Sequence, residues 1–405
     1  MTERFPSNHE LREKQVLRRA TRGIRMTPVA AKCGVAMTAV AARSIGMTAV
    51  LILANSCIRS AVPIAYQVEP IPAVVGCNAE PCAPGDEIHV TYLGVGGFLI
   101  ESRGHALLTG PSFTNPSLDS VTPTRYRFFR GRAPTIRPDK PLIDRLLPPA
   151  ADKASMILVG HGHYDHLLDV PHVANAHARD AEIFGGPTVR HMLMGDATLR
   201  ANAARVIAIS GADVGRVDRV GRWFTSKDRA FRVMALEADH APTVNVFRRW
   251  GVLFAAGSLD KDLTELPRRA EDWKLGEPYS YLIDVLGPDG TTPVFRIYYQ
   301  DAPNTAPLGF PPASLGGRRV DLAILCVATA RNVDPPSPDS LIKVLRPRYV
   351  IAAHWESFFR PQTLPIYLNP ASDVDAFNVS LMKSMPADGK WAMPLPRTTL
   401  RFVGQ

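Results

Sequence analysis

The sequence predicts a layered α/β or α+β domain in which two β-sheets pack together. Short apolar segments typical of strands recur in both halves of the chain, and helical segments lie between them. The chain has 405 residues, of which 46% are hydrophobic and 21% are charged. This length allows two domains or one large one, and this composition disfavours both intrinsic disorder and a polytopic membrane protein.

The predicted elements follow from short apolar segments and from helical spacing. Strands are predicted over residues 88–93, 98–100, 106–109, 155–159, 182–184, 205–209, 232–236, 251–256, 279–285, 294–299, 320–327 and 348–353. Helices are predicted over residues 170–179, 188–194, 338–345 and 373–385. Residues 111–151 are rich in Pro and Arg and have no sustained period, so they are predicted to form a long ordered loop over the sheet.

The positive charge of the chain is concentrated near its N-terminus. Residues 1–44 contain nine Lys or Arg residues and three Glu residues, a net charge of +6. Because the total is +9, the other 361 residues carry only +3. A phosphate backbone requires a large basic surface, so no nucleic-acid partner is predicted.

An uncharged segment, residues 44–58, follows this basic stretch. Its 15 residues are short for the roughly 20 that span a bilayer, and they are typical of the hydrophobic region of a signal peptide. We therefore predict that residues 1–56 form a basic leader and that the protein is exported to the periplasm or another extracytoplasmic compartment of a bacterium. Lipid anchoring at Cys57 is left open, and a buried apolar helix is the alternative.

The remaining chain is predicted to divide into a Pro-rich linker, residues 57–86, and one folded domain, residues 87–405. Cys77 and Cys82 lie in the linker, where they can form a disulfide in an oxidising compartment or remain free thiols. Cys326 lies in an apolar segment and is predicted to be a core residue of a strand.

The strongest functional signal is His161-Gly-His163-Tyr-Asp165-His166, directly after the apolar segment 155–159. A turn after a strand directs alternate side chains the same way, so His161 and His163 can bind one ion while Asp165 and His166 face another. Imidazole and carboxylate groups suit zinc, and the lack of clustered thiolates disfavours a closed structural site. A solvated polar turn is the alternative.

This motif resembles that of the metallo-β-lactamase superfamily, in which His-x-His-x-Asp-His follows a strand. The resemblance covers about residues 87–404 and implies an α/β fold, an αββα four-layer sandwich of two mixed β-sheets with outer helices. Four segments are similar to the branch that contains N-acyl phosphatidylethanolamine phospholipase D and ascorbate-6-phosphate lactonase: residues 90–100, 109–113, 162–167 and 353–358.

The family completes a two-metal site with a later His, a bridging Asp and a final His. The resemblance assigns these roles to His240, Asp301 and His354, each of which follows a predicted strand. Two zinc ions per chain are therefore implied, one bound by His161, His163 and His240 and the other by Asp165, His166, Asp301 and His354. Other histidines of this region are predicted to lie on helices, outside the site: His172, His177 and His191.

The sequence departs from the branch at two places. Gly110 stands where the branch usually has an Asp that orients metal ligands, and residues 94–97 lack a His that is common there. Loss of such a bracing residue lowers metal affinity or activity about 10 to 100 fold, unless another residue substitutes. On this basis, Gly110→Asp is predicted to tighten zinc binding and raise turnover.

The predicted function is that of a zinc-dependent hydrolase that uses a metal-activated water. Asp165 and His354 are the predicted catalytic residues, and Tyr164 and Trp355 are predicted to line the pocket. The resemblance favours a phosphodiester substrate, a small molecule or a lipid head group, with association at a membrane surface as a possibility. The alternatives are a lactonase of the same fold and a metal-binding protein with little turnover. A nuclease is disfavoured because the chain after residue 44 carries a net charge of only +3.

Overall fold

The computed structural model describes residues 87–124, 131–242, 255–315, 318–333 and 337–404. The predicted leader, the predicted linker and the cysteines of both segments lie outside these residues. So do residues 251–254 of the predicted strand 251–256, whose last two residues, Ala255 and Ala256, are not in a strand. Among the described residues, no helix has the length and apolarity needed to cross a bilayer.

The described chain forms strands and helices with the following bounds. The strands are β1 (Glu87–Gly94), β2 (Gly97–Ser102), β3 (His105–Thr109), β4 (Ala154–Leu158), β5 (Glu182–Gly185), β6 (Val206–Ala208), β7 (Phe224–Thr225), β8 (Phe231–Glu237), β9 (Tyr279–Leu286), β10 (Pro293–Tyr299), β11 (Leu322–Cys326), β12 (Tyr349–Ala353), β13 (Lys390–Ala392) and β14 (Thr399–Val403). The α-helices are α1 (Leu118–Val121), α2 (Lys140–Leu146), α3 (Tyr164–Leu167), α4 (Val170–Ala176), α5 (Pro187–Leu193), α6 (Ala197–Ala201), α7 (Asp339–Leu345) and α8 (Val374–Ser384). Short 3-10 turns occur at Pro149–Lys153, Ala203–Arg205, Gly211–Asp213, Ala270–Asp272, Ala313–Leu315 and Ala330–Asn332.

The strands of the described residues form two seven-stranded mixed sheets. The first sheet has the order β14-β1-β2-β3-β4-β5-β6, antiparallel from β14 to β3 and parallel from β3 to β6. The second has the order β13-β12-β11-β10-β9-β8-β7, parallel from β13 to β10 and antiparallel from β10 to β7. Residues after the parallel strands therefore gather at the carboxyl edges of the sheets, where ligand sites of α/β proteins lie.

The core is layered because alternate residues of a strand face opposite sides of its sheet. Tyr92 of β1 and Ile283 of β9 belong to one buried cluster between the two sheets. Leu108 of β3 packs in a second cluster with residues of α4 and α5, and Val350 of β12 packs in a third with residues of α7 and α8. The described residues thus form the predicted αββα sandwich, with helices on both outer faces.

One predicted loop is partly helical. Residues 111–151 contain α1 and α2, although the sequence predicts a loop there. Asp139 caps α2 by accepting a hydrogen bond from the backbone N–H of Leu142, and Ile143 packs in the core. Helix α2 has only seven residues, so its stability comes from this cap and this contact rather than from a long amphipathic pattern.

A buried ion network crosses the outer face of the second sheet. Asp284 on β9 stands directly opposite Arg232 on β8 and Arg296 on β10. Its carboxylate accepts hydrogen bonds from Arg296 Nε at 2.7 Å and Nη2 at 2.9 Å, and from Arg232 Nε at 2.9 Å. Trp223 covers both guanidinium groups, with its ring centroid 4.5 Å from Arg232 and 5.7 Å from Arg296. The network joins three neighbouring strands through one carboxylate.

Candidate metal centre

The His161 to His166 motif forms a tight turn between β4 and α3. His163 is the residue before α3, and the backbone N–H of Gly162 donates to the carbonyl of Leu275 at 3.0 Å. A Cβ atom on Gly162 would lie 2.2 Å from the carbonyl oxygen of Lys274, so only glycine fits this approach. The backbone of the turn is therefore fixed against the loop that precedes β9.

The second sheet fixes the same turn from the other side. The Tyr281 hydroxyl donates to the carbonyl of Val159 at 2.9 Å, and the backbone N–H of Tyr279 donates to the carbonyl of Gly160 at 2.7 Å. A Cβ atom on Gly160 would lie 2.2 Å from Asp301 Oδ2. Glycine at this position lets the carboxylate of Asp301 reach the motif.

The first group of candidate ligands is His161, His163 and His240, as the sequence predicted. One ring nitrogen of each lies within 4.8 Å of the others. His161 Nε2 is 3.0 Å from His163 Nδ1, and the ring centroids of His161 and His240 are 4.8 Å apart. His240 Nδ1 is 2.7 Å from the carbonyl oxygen of Ala241. A proton on that nitrogen leaves Nε2 as the unprotonated, ligand-forming atom.

The second group is Asp165, His166 and His354, which also offer ligand atoms within 4.8 Å of one another. Asp165 Oδ2 is 3.5 Å from His166 Nε2 and 3.4 Å from His354 Nε2. All three side chains are buried. The motif on the first sheet and the end of β12 on the second sheet both contribute to this group.

Asp301 lies between the two groups. Its Oδ1 is 3.2 Å from His161 Nδ1 and its Oδ2 is 3.4 Å from His166 Nδ1. The carboxylate thus contacts one histidine of each group, and its role as a metal-bridging ligand stays a prediction. Because both contacts are to Nδ1 atoms, the position also suits a carboxylate that orients the two rings through hydrogen bonds.

Burial determines the protonation of the imidazoles. It lowers the pKa of His161 and of His163 well below the usual range, helped by neighbouring histidines, and it lowers the pKa of His166 to about 3. Burial also lowers the pKa of His240. These rings are therefore neutral near pH 7, the form in which imidazole binds a metal.

The two carboxylates of the centre differ in their titration. Burial alone would raise the pKa of Asp165, but the attraction of its carboxylate to the protonated forms of His166 and His354, with a hydrogen bond from His354, outweighs burial and lowers the pKa. For Asp301, burial outweighs the neighbouring histidines, so its pKa is raised. The pKa of Asp165 consequently lies below that of Asp301.

The donor set fits a metal ion. Several of its polar atoms are buried and have no hydrogen-bond partner within the described protein: His163 Nε2, His166 Nδ1, Asp301 Oδ2 and His354 Nδ1. Buried polar atoms without partners are costly, and a cation held by imidazole and carboxylate groups would offset part of that cost. Nitrogen and oxygen donors of this kind suit zinc and related divalent ions.

A buried tyrosine and glutamate support the loop that carries His354. The backbone of His354 has a φ of 56°, an uncommon value for a residue other than glycine. Its N–H donates to the Tyr92 hydroxyl at 2.9 Å, and that hydroxyl donates to Glu356 Oε2 at 2.5 Å. Glu356 Oε1 accepts from the N–H of Val95 at 2.6 Å, and Val95 also has a φ of 56°. Tyr92 and Glu356 lie in segments 90–100 and 353–358, but their contact joins residues 264 positions apart and was not predicted.

Replacing Tyr92 by Phe is expected to destabilise the protein and to weaken metal binding. The change removes the partner of the buried His354 N–H and of Glu356 Oε2, and each such unsatisfied group costs about 1–3 kcal/mol. Tyr279→Phe is the matched control, because its hydroxyl makes a single bond, to the carbonyl of Ile209 at 2.7 Å. Urea denaturation compares the two variants. Equal losses of the free energy of unfolding would contradict the supporting role of Tyr92.

The structure overturns the expectation for Gly110. An added Cβ atom would lie 2.8 Å from the backbone carbonyl oxygen of His166. This contact is to the main chain of a candidate ligand and cannot be relieved by a side-chain rotation. Gly110 is therefore required by close packing against the motif, and an Asp there would displace His166 rather than orient it.

Gly110→Asp is consequently expected to lower stability by about 1–3 kcal/mol, as overpacking does, and to leave zinc binding no tighter. Gly404→Asp is the control, because the nearest atoms to a Cβ there are 3.4 Å away. Thermal unfolding and chelator competition measure both quantities. Tighter zinc binding in a Gly110→Asp protein of unchanged stability would refute this account.

The residues predicted to line the pocket are only partly confirmed. Trp355 is buried in the cluster beneath α7 and α8, and its Nε1 donates to the carbonyl of Pro394 at 3.0 Å, so it is a packing residue. Phe358 lies beside the centre instead, with its ring centroid 4.9 Å from that of His354 and 6.4 Å from that of Tyr164. Phe359 stacks on Phe358 at 4.3 Å and extends this aromatic wall.

The histidines that the sequence placed outside the centre lie in other clusters. His172 and His177 contact Asp144, and His191 contacts Asp262 at 2.7 Å. Neither cluster shares a residue with the candidate metal centre.

No family model matches the sequence, and no curated protein is significantly similar to it. Solved structures do resemble it. A metallo hydrolase from the archaeon Ignicoccus hospitalis is 16% identical over 78% of this chain and 98% of its own, with a TM-score of 0.44. The metallo-β-lactamase fold protein YhfI from Bacillus subtilis is 13% identical over 78% and 100% of the two chains, with a TM-score of 0.41.

A third similar structure has a different chemistry. CmlA, a diiron β-hydroxylase from Streptomyces venezuelae, is 14% identical over 80% of this chain and 55% of its own, with a TM-score of 0.41. Identities and TM-scores at this level carry no argument about function. The αββα architecture rests on the two sheets and their covering helices.

Proposed function

We propose that the protein is a metal-dependent hydrolase with a centre of two zinc ions. The observation that carries this proposal is the convergence of seven side chains from the ends of strands in both sheets. One ion would be held by His161, His163 and His240, and the other by Asp165, His166 and His354. Asp301 contacts both groups and would act as their shared ligand or as the acceptor that orients their rings.

The residues of the centre have separate tasks. When bound, the zinc ions would lower the pKa of a water molecule towards neutrality and polarise the bond to be cleaved. Asp165 lies beside His166 and His354, so its carboxylate can orient that water by accepting a hydrogen bond from it. The hydrogen bond from His240 Nδ1 to Ala241 fixes the tautomer of that ring.

The proposed substrate is a phosphodiester, a small molecule or a lipid head group. The support is the resemblance of the motif and its flanking segments to the phospholipase D branch, together with the aromatic wall beside His354. Tyr164, Phe358 and Phe359 offer apolar surface next to the second ion group, which suits the apolar part of a substrate better than a highly charged polymer.

Hydrolysis of a substrate panel by the zinc-loaded protein tests the proposal. The panel contains phosphodiesters, lactones and β-lactams, and each is assayed before and after chelation. Zinc-dependent turnover that is highest with phosphodiesters is the expected result. Preference for a lactone would support the lactonase alternative, and bound zinc without turnover would identify a metal-binding protein.

A further inference from the structure

We propose that Asp144, His172 and His177 form a second metal site, distinct from the centre of the proposed hydrolase. Asp144 lies on α2, His172 lies on α4, and His177 is the residue that ends α4. Their ligand atoms lie within 4.8 Å of one another. The site shares no residue with the hydrolytic centre, and the inference does not depend on the proposed function.

The Nε2 atoms of both histidines lie close to one carboxylate oxygen of Asp144. His172 Nε2 is 2.6 Å from Asp144 Oδ1, and His177 Nε2 is 2.9 Å from the same oxygen. The two imidazole rings are nearly perpendicular, with an interplanar angle of 83° and centroids 5.9 Å apart. Two imidazoles and one carboxylate, with a remaining position for water, form a ligand set typical of zinc.

Asp152 contacts His177 from the side opposite Asp144. His177 Nδ1 is 3.1 Å from Asp152 Oδ1, so both nitrogens of this ring face carboxylate oxygens. A neutral imidazole carries only one N–H. If Nδ1 donates to Asp152, the lone pair of Nε2 faces Asp144 Oδ1, which is repulsive unless the ring carries a second proton or the two ligand atoms separate slightly to bind a metal ion.

That cation is either a second proton on His177 or a metal ion. The contact with Asp152 favours a metal, because a carboxylate on the outer nitrogen of an imidazole is the usual orienting partner of a metal-bound histidine. The rings of His172 and His177 are mostly buried, whereas Asp144 is half exposed. A divalent ion can thus enter from solvent and find two preoriented nitrogens.

The proposed site would link two parts of the fold. Asp144 belongs to the segment between β3 and β4, whereas His172 and His177 belong to the helix that follows the His161 to His166 motif. An ion bound here would fasten α2 to α4. Because the site shares no residue with the hydrolytic centre, its ligands are not expected to contribute to hydrolysis there.

Zinc titration of the full chain, followed by elemental analysis after dialysis, tests this site. We expect the His172→Ala/His177→Ala double variant to bind one zinc ion fewer than the natural protein. His191→Ala is the matched control, because His191 also pairs with a carboxylate, Asp262, but is not part of a group of three converging ligands. It is expected to bind the full number.

The number of zinc ions bound per chain tests this second site independently of the proposed hydrolytic function. If the hydrolytic centre binds two ions, the expected change is from three to two, and if that centre binds none, the change is from one to zero. In addition, Asp152→Asn is expected to weaken the binding of this ion about 10 to 100 fold, because it alters the outer partner of His177. Equal zinc content in the natural protein and the double variant would overturn the site and identify the cluster as a proton-held ion network.

Discussion

Replacing His163 by Ala is expected to remove one bound metal ion and to reduce hydrolysis below detection. His163 contacts His161 at 3.0 Å and lies 5.1 Å, between ring centroids, from His240. With only two ligands left, the first group can no longer hold zinc as a catalytic site does, since such sites use three protein ligands and an open position. We therefore expect the variant to lose one bound ion completely, rather than to bind that ion more weakly.

Elemental analysis and steady-state kinetics measure this outcome, and circular dichroism establishes that the variant is folded. His191→Ala is again a suitable control, because it removes an imidazole outside the centre. A folded His163→Ala protein with the natural metal content and turnover would disprove the assignment of the first group. Asp301→Asn adds a further distinction: loss of metal indicates a shared ligand, while a decrease in affinity of about 10 to 100 fold indicates a residue that orients the rings.

Replacing Asp284 by Ala is expected to lower the free energy of unfolding by about 3–5 kcal/mol. The carboxylate is fully buried and accepts hydrogen bonds from both Arg232 and Arg296. Its removal leaves the guanidinium of Arg296, whose side chain is 7% exposed, without its carboxylate partner. Because total stability is commonly 5–15 kcal/mol, a loss of this size threatens folding at ordinary temperature.

The control for this variant is Asp388→Ala, which breaks the exposed pair with Arg319. The Asp388 side chain is 63% exposed, and pairs of this kind contribute about 0–1 kcal/mol. Chemical denaturation of the two variants gives both free energies. Similar decreases in the free energy of unfolding for Asp284→Ala and Asp388→Ala would show that a buried ion pair contributes no more to stability here than an exposed one.

The convergence of the candidate ligand residues could be predicted because their signal is local. The motif begins at His161, directly after the loop that follows β4, and Asp301 and His354 each come within two residues of the end of a strand. The sequence signal for His240 is weaker, because β8 ends at Glu237 and a short loop brings the imidazole to the centre.

Features that depend on contacts between distant segments were missed. Strand β13 has three residues and β14 alternates exposed and buried positions irregularly, so each is defined by its neighbour in the sheet rather than by its own sequence. The close contact of Gly110 with His166 and the burial of Trp355 beneath helices are also tertiary effects. For the same reason, the approach of Asp144 to His172 could not be deduced before α2 was placed.

The division of the ligands between the two sheets has a consequence for motion. His161, His163, Asp165 and His166 follow a strand of the first sheet, whereas His240, Asp301 and His354 follow strands of the second. Each candidate group draws on both, so neither sheet alone presents a complete set. An ion held here would link the two sheets, and any separation of the sheets would break both ligand groups at once.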